Sequence, residues 1–106
     1  MRPIPQALRK QMSAETPSCA RYKEGMCQGR MTIEHAFGRT NQKRWQLIWL
    51  CWRCHLGDRL DKELNRHLAY QQATEQEIKD TFPKTFKQHL QAKKYLSEKY
   101  GRTNGQ

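Results

Sequence analysis

Apolar residues recur along this chain first at helical spacing, then at strand spacing, then at helical spacing again. Ile4, Leu8 and Met12 fall every four residues and predict a short N-terminal helix, with Pro5 tolerated in its first turn. Residues 16–30, rich in Gly, Pro and Cys, read as loop. Met31-Thr32-Ile33-Glu34-His35 reads as a short strand. Leu47-Ile48-Trp49-Leu50 reads as a second, its bulky residues suited to a half-buried ribbon. Leu56, Leu60, Leu64 and Leu68 then recur every four residues and predict one helix over about 53–72 that buries a leucine stripe. Gly57 weakens that helix by about 1 kcal/mol relative to Ala without forbidding it. Thr74-Glu75-Gln76-Glu77 has capping-box spacing and opens another helical piece, which Pro83 breaks. Phe86, Leu90, Leu96 and Tyr100 share a face of a last helix, with Gly101 placed as its C-terminal cap. Two strands among several helices make an α+β fold.

Length and charge narrow the picture. A chain of 106 residues, 36% of them hydrophobic, forms a single domain with a thin core, and such a core needs a staple. No apolar run reaches the length of a membrane span. Residues 1–12 lack the apolar stretch of a signal peptide, so the expected location is the cytoplasm. The 20 Lys and Arg against 10 Asp and Glu leave a net charge of +10. Residues 1–57 hold ten basic and three acidic side chains, residues 58–82 four and six, and residues 83–106 six and one. Two basic arms around a nearly neutral middle point to a polyanion, with nucleic acid the first candidate.

The staple is suggested by Cys19, Cys27, Cys51 and Cys54. Cys51-Trp-Arg-Cys54 can be a zinc knuckle or a redox pair, but the strand–helix–strand order that surrounds a thioredoxin-like motif is missing. Without a secretory signal, disulfides are not expected. Four thiolates suit a tetrahedral zinc ion that joins the early loop to the knuckle.

Two further places carry chemistry. Glu34-His35 ends the first strand, and His55 follows Cys54 directly. A carboxylate and an imidazole can share a divalent cation, with water and a phosphate completing its shell. A neighbouring free imidazole can take a proton from water near neutral pH. His55, Arg59, Lys62 and Arg66 are spaced to line one helix face, where a phosphate backbone would lie. Arg39, Lys43 and Arg44, between the strands, are further candidates for DNA contact. Trp45, Trp49 and Trp52 read mostly as core, with Trp45 the one placed to meet DNA. His67 and His89 belong to no motif and read as structural or solvent-facing, and Lys84, Lys87 and Lys94 project from the last helix as solvated charges or DNA contacts.

The segment from Cys27 through Ile33-Glu-His-Ala-Phe-Gly-Arg39, followed by Leu47-Ile-Trp-Leu-Cys-Trp-Arg-Cys-His55, resembles the HNH endonucleases. It is most similar to the small zinc-stapled members from bacteriophages and bacteria. The resemblance spans residues 19–66. It implies a ββα-metal unit there, acting in a bacterial or phage-infected cell. The helical pieces over 74–100 extend beyond it, and residues 102–106, which hold no apolar side chain, read as a frayed tail. The resemblance implies metal-dependent hydrolysis of double-stranded DNA. His35 would be the general base. Glu34 and His55 would hold Mg²⁺, Mn²⁺ or a similar cation, and the four cysteines a separate structural zinc. The family's middle Asn is replaced here by Gln46, with Asn41 an alternative for its bracing role. That departure keeps a second reading open: a zinc-stapled DNA-binding module with weak or no catalysis, acting in regulation, recombination or packaging. An RNA-binding zinc protein has only the charge behind it.

Overall fold

A computed structural model describes residues 4–15, 18–22, 25–38 and 40–101. The expected frayed tail at 102–106 and the candidate DNA contact Arg39 lie outside the described residues. The chain is mixed helix and sheet. Helix α1 (Gln6–Glu15) is followed by a hairpin of β1 (Met31–His35) and β2 (Leu47–Cys51), then by α2 (Trp52–His55), α3 (Lys62–Gln71), α4 (Glu75–Thr81) and α5 (Phe86–Gly101). The two strands are antiparallel, in a register that pairs Met31 with Cys51 and His35 with Leu47.

Strand alternation divides the core between the two faces of this ribbon. Ile33 and Leu47 meet Met12 of α1 on one face. Ile48 and Leu50 meet Cys19, Cys54 and Ala69 on the other. A third cluster lies beyond the hairpin loop, where Trp45, Tyr70, Ala73, Ile78 and Leu96 are buried together with Phe37, Phe82 and Phe86 around them. Trp45 is 3% exposed and donates its indole N–H to Thr81 Oγ1 at 3.1 Å. The expectation that Trp45 meets DNA is therefore overturned: α4 and α5 cover it. Trp52, 48% exposed, is the tryptophan that faces solvent.

The second correction concerns the leucine helix. It is two helices, because the chain leaves helical geometry at Leu56 (φ −122°) and restarts at Asp61, whose side chain caps α3 by accepting from the Leu64 N–H at 3.0 Å. Gly57 sits where the chain folds back on α2, and a Cβ there would lie 2.9 Å from the Arg53 backbone. Arg53 holds the turn with a two-pronged pair to Asp58, at 2.7 and 3.0 Å. Leu56 and Leu60 are consequently exposed, at 61% and 46%. The face that α3 buries consists of Asn65, His67, Ala69 and Tyr70.

The signals at Thr74 and Pro83 act locally, as the sequence suggests, whereas Gly101, expected as a cap, is the last helical residue of α5. Thr74 and Glu77 form a reciprocal capping box, at 3.1 and 2.9 Å. Pro83 lies between α4 and α5. The unassigned histidines are structural. His89 bonds the Tyr70 hydroxyl at 2.8 Å and stacks on Phe82, and His67 is buried against Tyr100. Burial holds the His67 imidazole below its usual range. An unfolded imidazole takes up a proton near pH 6.5, which the folded chain refuses until lower pH. Stability is therefore full above that point and declines as pH falls through it. Denaturant unfolding between about pH 7.5 and 5.5 should show this decline, and His67→Phe should make it shallower.

Candidate metal centre and adjoining cleft

The loop ahead of β1 and the knuckle that follows β2 bring four sulfurs together. The Sγ atoms of Cys19, Cys27, Cys51 and Cys54 all lie within 4.8 Å of one another, and none forms a disulfide. Three are buried and Cys27 is exposed. Close packing of the loop on the knuckle depends on Gly29, whose φ is +85° and where a Cβ would come 2.8 Å from Trp52 Cβ. The Trp52 N–H donates to Arg30 O and the Arg53 N–H to Gln28 O, at 2.9 and 3.2 Å, and these bonds complete the join.

The donor set and its electrostatics fit a thiophilic cation such as zinc. Burial opposes ionisation of Cys51, but N–H groups from the Cys54 and Gln28 backbone, with contacts from Cys54 and Cys27, bring its thiol down to about 6. Loss of water around its sulfur within the cluster, and then the crowding of Cys19 and Cys51, pushes the Cys27 thiol up to about 11 although the residue as a whole is exposed. Burial and its cysteine neighbours also push Cys54 up. Without a cation, crowding among the sulfurs opposes ionisation of Cys27 and Cys54. A cation between them favours all four.

Beside this cluster lies a cleft of about 940 Å³, lined by Glu34, His35, His55, Leu56, Leu60, Lys62 and Arg66 among others. Thr32 and Glu34 project from β1 toward α2 and α3. His55 Nε2 lies 3.2 Å from Glu34 Oε1, and both side chains are largely shielded, at 16% and 15% exposure. The His55 contact holds the Glu34 carboxyl below the usual carboxylate range, against its burial and with help from Asn65. Asn65 is fully buried on α3 and donates Nδ2 to Glu34 Oε2 at 3.0 Å. His55 Nδ1 lies 2.7 Å from Thr32 Oγ1. His35, last residue of β1, lines the same cleft from the end of the strand.

Sequence reasoning missed Thr32 and Asn65. Strand alternation gave a signal for Thr32, two residues before Glu34. Asn65 had none, because only the break before α3 brings it under the ribbon. Gln46 is fully buried, and its Oε1 accepts the Lys43 N–H at 3.1 Å while its backbone carbonyl accepts the Ala36 N–H at 3.1 Å. Asn41 donates Nδ2 to Phe37 O at 2.6 Å. Both amides thus pin the loop that leaves His35.

The candidate cations divide into two groups. Lys62 and Arg66 are exposed on α3 and line the cleft, with Arg66 lying 5.4 Å over the Phe37 ring. Lys43 is exposed on the hairpin loop. Arg44 is engaged by Glu15, at 2.9 Å, and by Leu47 O, and Arg59 by Gly25 O. His55, Arg59, Lys62 and Arg66 share no single helix face, since the chain turns between α2 and α3. His55, Lys62 and Arg66 are instead gathered around one cleft, with Arg59 turned toward the cysteine loop. No described helix is long and apolar enough to cross a membrane. No family model, curated protein or solved structure matches the chain.

Proposed function

We propose that this chain is a metal-dependent endonuclease of the HNH type that hydrolyses phosphodiester bonds in double-stranded DNA, with the four cysteines holding a structural zinc. The observation that carries the reading is the Glu34–His55 pair, 3.2 Å apart and shielded in a cleft that His35 also lines. In the proposed site Glu34 and His55 hold a divalent cation such as Mg²⁺ or Mn²⁺. When bound, that cation would stabilise the charge that develops on the phosphate. Asn65 engages one Glu34 oxygen and leaves the other turned toward His55. His35 takes the proton from the attacking water. Lys62 and Arg66, four residues apart on α3, present their charges to the phosphate backbone. Gln46 and Asn41 keep the loop after His35 in place. The ββα-metal architecture is part of the same proposal, with β1, β2 and α2 as its unit.

Incubating the purified chain with supercoiled plasmid tests the reading. Nicked circles are expected with Mg²⁺ or Mn²⁺ and none with a chelator selective for those ions. Affinity for duplex DNA should fall with salt at a slope of about −0.9 per phosphate neutralised. Lys62→Ala and Arg66→Ala should each lower that slope by about 1. Salt-independent binding overturns the DNA reading. Gln46 in place of Asn favours a second reading, a DNA-binding module without cleavage. Salt-dependent binding with no nicking in either metal would select it.

A further inference from the structure

The two nitrogens of the His55 ring meet different surroundings. Nδ1 lies 2.7 Å from Thr32 Oγ1, and the same hydroxyl lies 2.8 Å from the Leu50 carbonyl oxygen. A hydroxyl has one proton to give, and a carbonyl oxygen only accepts. The bond to Leu50 therefore commits the Thr32 proton. Toward His55 the hydroxyl is left as an acceptor, and both contacts are satisfied only when Nδ1 carries hydrogen. On the far side of the ring Nε2 faces Glu34 Oε1. Whatever lies between Nε2 and the carboxylate, a proton or a cation, Nδ1 keeps its hydrogen.

We propose that Thr32 is a positioning residue that fixes His55 in the Nδ1–H form, so that Nε2 is the ring nitrogen that meets the cation. The inference rests on the cation reading given above and assigns the atom through which His55 acts. The arrangement is economical in backbone terms. Thr32 and Glu34 stand two residues apart on one face of β1, so a single strand supplies both the carboxylate and the group that orients its partner. The Thr32 bond to Leu50 O, from the register neighbour on β2, ties that orientation to the hairpin itself. Outer contacts of this kind set which nitrogen a metal-binding histidine offers.

Nitrogen-15 spectra of the histidine side chains, recorded on the zinc-loaded chain and then through a Mg²⁺ titration, test the proposal. The wild type should show hydrogen on His55 Nδ1, protected from exchange, and Mg²⁺ should move the Nε2 signal. Thr32→Val keeps the side-chain shape and removes the acceptor. Its Nδ1–H should lose protection, and Mg²⁺ affinity should fall about 10–100-fold. Thr32→Ser should restore both, which a residue that only fills space would not do. A wild-type Nδ1 without hydrogen overturns the proposal, as does a Thr32→Val variant with wild-type spectrum and affinity. Should Thr32→Val fail to fold, the wild-type and Thr32→Ser spectra still decide which nitrogen carries hydrogen. A wild-type ring in the Nδ1–H form that Mg²⁺ leaves unmoved overturns the cation reading while the assignment of the ring hydrogen stands.

Discussion

Cys51→Ser should leave the chain without a cooperative fold. Cys51 is 2% exposed, receives backbone N–H bonds from Cys54 and Gln28, and has a thiol that these bonds hold below its usual range. Its loss removes a sulfur from the proposed zinc and also the acceptor that organises the knuckle. Structural zinc contributes on the order of 10 kcal/mol to the folding of small zinc domains, which matches the whole stability of many domains. The apolar core here is split into three small clusters and does not replace a contribution of that size. Cys27→Ser should be milder, because Cys27 is exposed and three buried sulfurs remain. Elemental analysis of the purified proteins, with a thermal unfolding profile of each, checks both. A metal-free wild type with a sharp unfolding transition would sink the zinc assignment.

His35→Ala and His55→Ala should both lose nicking activity, but in different ways. His35 is assigned to proton transfer, so its removal should leave Mg²⁺ and DNA binding nearly intact. Its rate should fall by about 10²–10⁴-fold, the usual cost of losing a general base. His55 is assigned to the cation, so His55→Ala should weaken metal binding, and raised Mg²⁺ or Mn²⁺ should restore part of the rate. The added metal should not rescue His35→Ala. Both variants should keep the zinc, since neither ring belongs to the four-sulfur cluster. Nicking rates across a metal titration decide between these outcomes. Rescue of His35→Ala in place of His55→Ala reverses the roles, and full activity in both places the site elsewhere.

The parts of this fold that were legible in the sequence are those whose cause is local. Met31–His35 and Leu47–Cys51 form strands where β-branched and bulky residues cluster. Thr74, Glu77 and Pro83 mark helix boundaries through bonds made or lost within a few residues. The cysteine cluster was legible because metal chemistry restricts which thiols can meet. Leucine period was not enough beyond the knuckle, where a four-residue recurrence reads alike through one helix or two. The turn at Gly57 and the cap at Asp61 decide the matter, with Arg53 reaching Asp58 across the same turn. Trp45 misled for another reason: its burial comes from α4 and α5, far along the chain. At the site, Glu34, His35 and His55 stood out as chemistry-bearing types. Asn65 and Thr32 did not, since an amide and a hydroxyl gain meaning only from what they face.

The turn between α2 and α3 has a mechanical consequence. Arg53 bonds Met26 O as well as Asp58, Arg21 bonds Arg59 O, and Arg59 bonds Gly25 O. These contacts lash the cysteine loop to the segment that displays Leu56 and Leu60 at the rim of the cleft. Contacts of this kind couple the loop to the rim, so that loosening one loosens the other. A cation held by the four sulfurs would thus also brace the cleft's edge, in part through Arg59, which the sequence alone would assign to a ligand's phosphates.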